Sequence, residues 1–121
     1  YDTLQQKAPG SYVILEHLGV NNEENELSNY GMMLWGNMNY NFTEAAKGQI
    51  PNSNFSGALH TVRNWQKPHL ISYMESQDEE RSMVKCKTEG VSVSGYNIRD
   101  EAIALKRNEL AASFLLAMPG P

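Results

Sequence analysis

Few side chains in this chain are suited to acid–base or nucleophilic chemistry: three histidines, His17, His60 and His69, one cysteine, Cys86, and Glu16 directly before His17. An imidazole beside a carboxylate can move a proton, and a thiolate served by an imidazole can attack an electrophile. An enzyme reading therefore takes His60 or His69 with Glu16 as an acid–base pair, or either histidine as the base for Cys86. The spacing works against both. Glu16 and His17, being adjacent, point apart on a helix or a strand, so each needs a partner from elsewhere in the fold. Cys86 shares a face with Val84 in an apolar setting, where a thiol stays protonated and inert. Zinc could use the same imidazoles and thiolate, but structural sites are built on close pairs, and the nearest histidines stand nine residues apart with Pro68 between them. We expect no metal site and no cofactor.

The one basic and aromatic grouping is Arg63, Lys67, Lys85 and Lys87 with Trp65 among them. It is too small for a nucleic-acid footprint, and the acidic run Asp78-Glu79-Glu80 separates its halves. The chain as a whole carries a net charge of −4, whereas sequence-independent phosphate binding needs clustered lysine and arginine. Nucleic acid and anionic membrane surfaces are poor partners for it. No apolar run approaches the ~20 residues that span a bilayer. The single cysteine precludes an internal disulfide, which points to a reducing compartment and a cytoplasmic location; a secreted effector or a viral polyprotein product also fits. The opening on Tyr1 and the closing Met118-Pro119-Gly120-Pro121 suggest one domain, residues 1–121, excised from a larger or processed protein.

Tyr30, Trp35 and Tyr40 fall in a segment that also holds Met32, Met33 and Met38. Adaptable apolar side chains of this kind serve partner surfaces as well as irregular cores. Leu116, near the end of a helix that is apolar on nearly every side, is the fourth candidate for partner contact. The reading these residues favour is a non-catalytic interaction module, docking a protein partner or a neighbouring domain through an apolar surface. Such a surface also allows a homo-oligomer. The alternative is the small enzyme described above.

These candidates must be positioned by a short list of elements. The first ten residues read as a short helical turn, Asp2 capping Leu4 to Lys7, ended by Pro9-Gly10. Ser11 to Gly19 is bracketed like a two-turn helix, with Ser11 as cap and Gly19 as terminator, although its β-branched content also suits a strand. Asn21 to Asn25 reads as a solvated loop. Leu27, Tyr30, Met33, Leu34 and Met38 trace a helical stripe from Glu26 to Met38, with Gly31 and Gly36 marking a close approach by a neighbour. Residues 39 to 57 read as a long loop that holds a helical turn near Thr43 to Lys47, and residues 58 to 65 as a short helix or 3₁₀ turn. Two alternating runs, His69 to Ser76 and Ser82 to Thr88, flank a polar loop, and Val91 to Ser94 follows as a third strand. From Asp100 onward a C-terminal helix shows Ala102, Ile103, Lys106, Leu110, Phe114 and Ala117 on one face. The expected fold is α+β: a helical N-terminal half, a three-stranded antiparallel meander over about 69–94, and the C-terminal helix packed on it through Leu110 and Phe114.

Overall fold

Three short strands, β1 (Ile14–Leu15), β2 (Met33–Asn37) and β3 (Leu70–Tyr73), lie side by side in that order in a computed structural model that describes residues 1–121. All three are parallel, with Ile14 opposite Met33 and Leu34 opposite Leu70. Parallel neighbours need a long crossover. Helix α2 (Asn21–Tyr30) supplies the first; helix α3 (Asn39–Lys47) and two 3₁₀ turns, Ile50–Asn52 and Ser56–Ala58, supply the second. A short helix α1 (Asp2–Lys7) precedes the sheet. After β3 come α4 (Ser82–Glu89), a two-residue hairpin of β4 (Ser92–Val93) and β5 (Tyr96–Asn97), and the long α5 (Glu101–Leu116).

The mixed α+β content agrees with the sequence, but the expected antiparallel meander does not exist. Residues 82–89 are helical, and the only antiparallel pairing is β4 with β5. The physical reason lies in the positions that fix the face. Ser82 and Cys86 are the buried residues of α4, and residues four apart share a face in a strand and in a helix alike. The stripe from Glu26 to Met38 fails similarly: α2 begins earlier, at Asn21, and stops at Tyr30, and β2 takes over from Met33. Gly31 marks the break with φ +120°, and the hydroxyl of Tyr1 occupies the space a Cβ would need there. Gly36 is required by contact, since a Cβ would stand 2.6 Å from a Leu70 methyl. Ser11 to Gly19 forms no helix; its centre is β1, as its β-branched content allowed.

The sheet has two unlike faces because its side chains alternate. Leu15, Leu34, Gly36, Leu70 and Ser72 face the helices. Leu34 and Leu70 form a buried cluster with Trp65, packed by Leu27 of α2, and the Ser72 hydroxyl donates to the Ala58 carbonyl at 2.9 Å. Beyond it, Phe42 of α3 packs with Met38, Ala58 and Ala111, and Cys86 packs with Ala46, Ile98 and Ala104. Helix α5 thus turns Ala104 and Ala111 inward. Leu110 and Phe114, expected at the core, are 54% and 50% exposed. A helix that is apolar nearly all round gives its period no phase, and small residues win where α3 and α4 approach closely. Arg107 fixes that approach by donating from Nε to the Ala46 carbonyl at 3.0 Å and from Nη2 to the Ala45 carbonyl. Lys47, nearly buried, lies 2.5 Å from Glu44 and 2.7 Å from Glu89, tying α3 to α4.

Candidate functional site

In a parallel sheet wound with helices, the loops after the strands gather at one end, and that end is where side chains from separate elements can meet a ligand. Here Glu16 follows β1, Asn37 closes β2, Tyr73 closes β3, and Glu75 to Arg81 form the loop into α4. Tyr73 reports their convergence. Its hydroxyl is held above the ordinary tyrosine range first by burial, then by the negative charges of Glu79, Glu16 and Asp78. Acids from two loops therefore bear on one phenol. Trp35, two residues before Asn37 and so on the same sheet face, packs edge-on against Tyr73 with ring centroids 5.2 Å apart.

The four acids of the loop after β3 have different duties. Glu79 accepts from the Ser76 amide at 3.1 Å, from the Ser76 hydroxyl and from Asn37 Nδ2 at 2.7 Å, which ties the loop back to β2. Glu75 accepts from the Ser82 amide at 2.8 Å and the Ser82 hydroxyl at 2.5 Å, with Arg81 3.5 Å away, so it closes the loop onto the start of α4. Burial opposes its charge, yet the two Ser82 bonds and Arg81 outweigh burial and hold its carboxyl below the ordinary glutamate range. Asp78 is exposed and meets only the Gln77 amide, at 3.5 Å. Glu80 is exposed too and accepts only from the Arg81 amide at 3.2 Å, so these two carboxylates of the loop are left available to a ligand.

The residues singled out from the sequence are dispersed. Glu16 alone lies at this end. His69 Nδ1 is 2.8 Å from the Ser28 carbonyl, His60 Nδ1 is buried without a partner, and His17 sits 3.5 Å from Glu23. Cys86 is fully buried on α4 with Asn108 Nδ2 3.4 Å from its sulfur, and burial pushes its thiol up. No hydrogen bond or ion pair joins any two of Glu16, His60, His69 and Cys86. No three histidine, cysteine or acidic side chains gather closely enough to hold a metal ion. In the basic grouping, Arg63 donates to the Gly57 carbonyl, pairs with Glu24 and lies over Trp65, which is itself buried and donates to Asn21. That arrangement braces α2 against the loop before β3.

The four partner-contact candidates also occupy different settings. Tyr30 is 57% exposed but donates to Asp2 at 2.6 Å and packs on Tyr1, so it anchors α1. Tyr40 projects from α3 and Leu116, 86% exposed, from the end of α5. Trp35 lies in the sheet, on the face away from the helices. With it there are Ile14, Met33, Ile71 and Tyr73, none of them buried. Sequence reasoning missed Asn37, Tyr73, Asp78 and Glu79. The signal was present as an acidic run between a β-rich segment and a helix, the pattern of a βα loop, but it was obscured once residues 82–88 were read as a strand.

No helix is long and apolar enough to cross a membrane. No family model matches this chain, and comparison with curated proteins finds no match.

Proposed function

We propose that this chain is a docking module whose contact surface is the sheet face turned away from its helices. One observation carries the reading: a parallel sheet with helices packed on one face and none on the other. Parallel sheets occur almost only with both faces covered, and here Ile14, Met33, Trp35, Ile71 and Tyr73 make the second face a continuous apolar one. Three parallel strands wound in sequence with their helices on one side have the arrangement of one sector of a β/α barrel, in which the bare face looks inward on further strands. The surface fits a neighbouring domain or partner that completes such a layer.

Dye binding and self-association test this reading. The isolated chain is expected to bind an apolar fluorophore and to associate with rising concentration in sedimentation. The double substitution Ile14→Glu and Met33→Glu should abolish both while leaving the thermal transition within a few degrees. Dye binding and association that persist in a folded double variant would overturn the docking face.

The acidic end of the sheet favours a second, compatible reading, in which the assembled protein performs general acid–base chemistry with carboxylates rather than with His60 or His69. Glu16 and Asp78 sit on different loops and both bear on Tyr73. Two carboxylates on opposite sides of a scissile bond are the usual equipment for hydrolysing a glycosidic link. Asp78→Asn in the assembled protein should then remove activity and leave assembly intact; retained activity would exclude this role.

A further inference from the structure

We infer that the free edge of β3 is a receptor for an extended, apolar polypeptide strand bearing a basic residue toward its carboxyl end, which pairs parallel to β3 in the groove between that edge and α5. The inference rests on the docking reading and adds the mode of contact and the chemistry of the partner.

The backbone supplies the first ground. Leu34 donates to the His69 carbonyl and Met38 to the Tyr73 carbonyl, so the odd-numbered residues of β3 bond to β2. Leu70 and Ser72 turn their amides and carbonyls the other way. No strand pairs there, since β3 is the last of the sheet, and no residue elsewhere in the chain hydrogen-bonds these groups. An unpaired edge is a template for strand addition, in which main-chain bonds give affinity and alternate side chains give specificity.

Shape is the second ground. Two hollows, of about 550 and 290 Å³, border this edge and share Ser72 on the strand side and Leu115 on the helix side. Together they make one trough. Leu105, Ala112 and Leu116 extend its helical wall, and the segment Met118 to Pro121 lines the smaller hollow with Leu70 and Ile71. One strand laid in the trough would bond to Leu70 and Ser72 and bury alternate side chains against α5.

Charge calls for the basic residue, and continuation of the all-parallel sheet sets the orientation. Glu75 and Glu109 are the only charged side chains lining the trough, both in the larger hollow beside Tyr73 and Met74. Glu75 is engaged by Ser82, whereas Glu109 is exposed and forms no ion pair. A strand parallel to β3 brings its carboxyl-terminal part to this end, where a lysine or arginine meets Glu109.

The experiment uses the Ile14→Glu, Met33→Glu variant, so that the bare face does not compete, with a capped seven-residue peptide of alternating valine and threonine ending in lysine as the probe. Amide exchange at Ser72 should slow at least tenfold at saturating peptide, and Glu109→Lys should weaken binding several-fold. A peptide N-methylated on its pairing edge should have no effect. Unchanged Ser72 exchange at millimolar peptide, or an equal effect of the N-methylated peptide, would overturn the proposal. If the variant has lost dye binding and association but the Ser72 amide does not respond, the edge proposal fails while the docking face stands. If dye binding and association persist in the folded variant, the docking reading fails first.

Discussion

The two faces of the three-stranded sheet are built from the same strands and differ by one residue of register. On one side Leu34 and Leu70 are almost fully buried beneath Trp65 and α2; on the other, Met33 and Ile71 stay partly exposed and Ile14 is 53% exposed. Both sets are apolar, so composition does not separate them. The position of the crossovers does, because α2 and the turns after α3 lie over one face only. Apolar character in a parallel strand thus marks what could be buried, while the winding of the chain decides what this chain buries by itself.

The strongest way to break the comparison is to truncate on each side. Leu34→Ala should cost about 2–5 kcal/mol, because a buried leucine loses both its transfer free energy and the packing around the resulting cavity. Met33→Ala, one residue earlier and on the bare face, should cost less than about 1 kcal/mol. Urea denaturation of both variants measures the difference, and equal costs would mean that the bare face is packed in solution.

A smaller contrast is expected along α5. Phe114 packs at a tilt against Phe55, with centroids 5.5 Å apart, but keeps half its surface in solvent. Phe114→Ala should cost about 1–2 kcal/mol, below the 3–5 of a fully buried phenylalanine. Leu116→Ala should change stability by less than about 0.5 kcal/mol. Thermal unfolding of the two variants checks the order.

The smallest effect belongs to Glu75, and its signature is the pH dependence. Its folded carboxyl is held below the ordinary value, so its contribution is fully present above the unfolded glutamate pKa near 4.3 and is lost as pH falls through the folded value. Glu75→Gln should therefore lower stability at pH above about 4.3 and converge with the parent in acid, which narrows the stability difference between neutral and acidic solution. A variant with the acid limb of the parent would show that the Ser82 clasp is not formed. The same loop should loosen, seen as faster amide exchange at Ser82.

Much of the molecule was legible from residues alone. The short helix over 2–7, the strand at 70–73 within the run from His69 and the C-terminal helix from Glu101 follow local rules of period and termination. Net charge and the scarcity of clustered bases were fixed before folding. The burial of Cys86 was foreseen from its apolar neighbourhood, although its element was a helix and not a strand. Local rules failed where two periods coincide. Ser82 and Cys86 satisfy strand and helix alike, and Tyr30, Met33, Leu34 and Met38 mimic a helical stripe across a break at Gly31.

What only the tertiary structure decided is which distant segments meet. The pairing of Leu34 with Leu70 spans more than thirty residues, and the choice of parallel over antiparallel strands was made by crossovers whose helical content the loop-like composition of 39–57 concealed. The convergence of Glu16, Asn37 and the 75–81 loop follows from that choice alone. Side-chain period sets which face a residue occupies within its own element, and it holds no information about which end of which strand lies beside it.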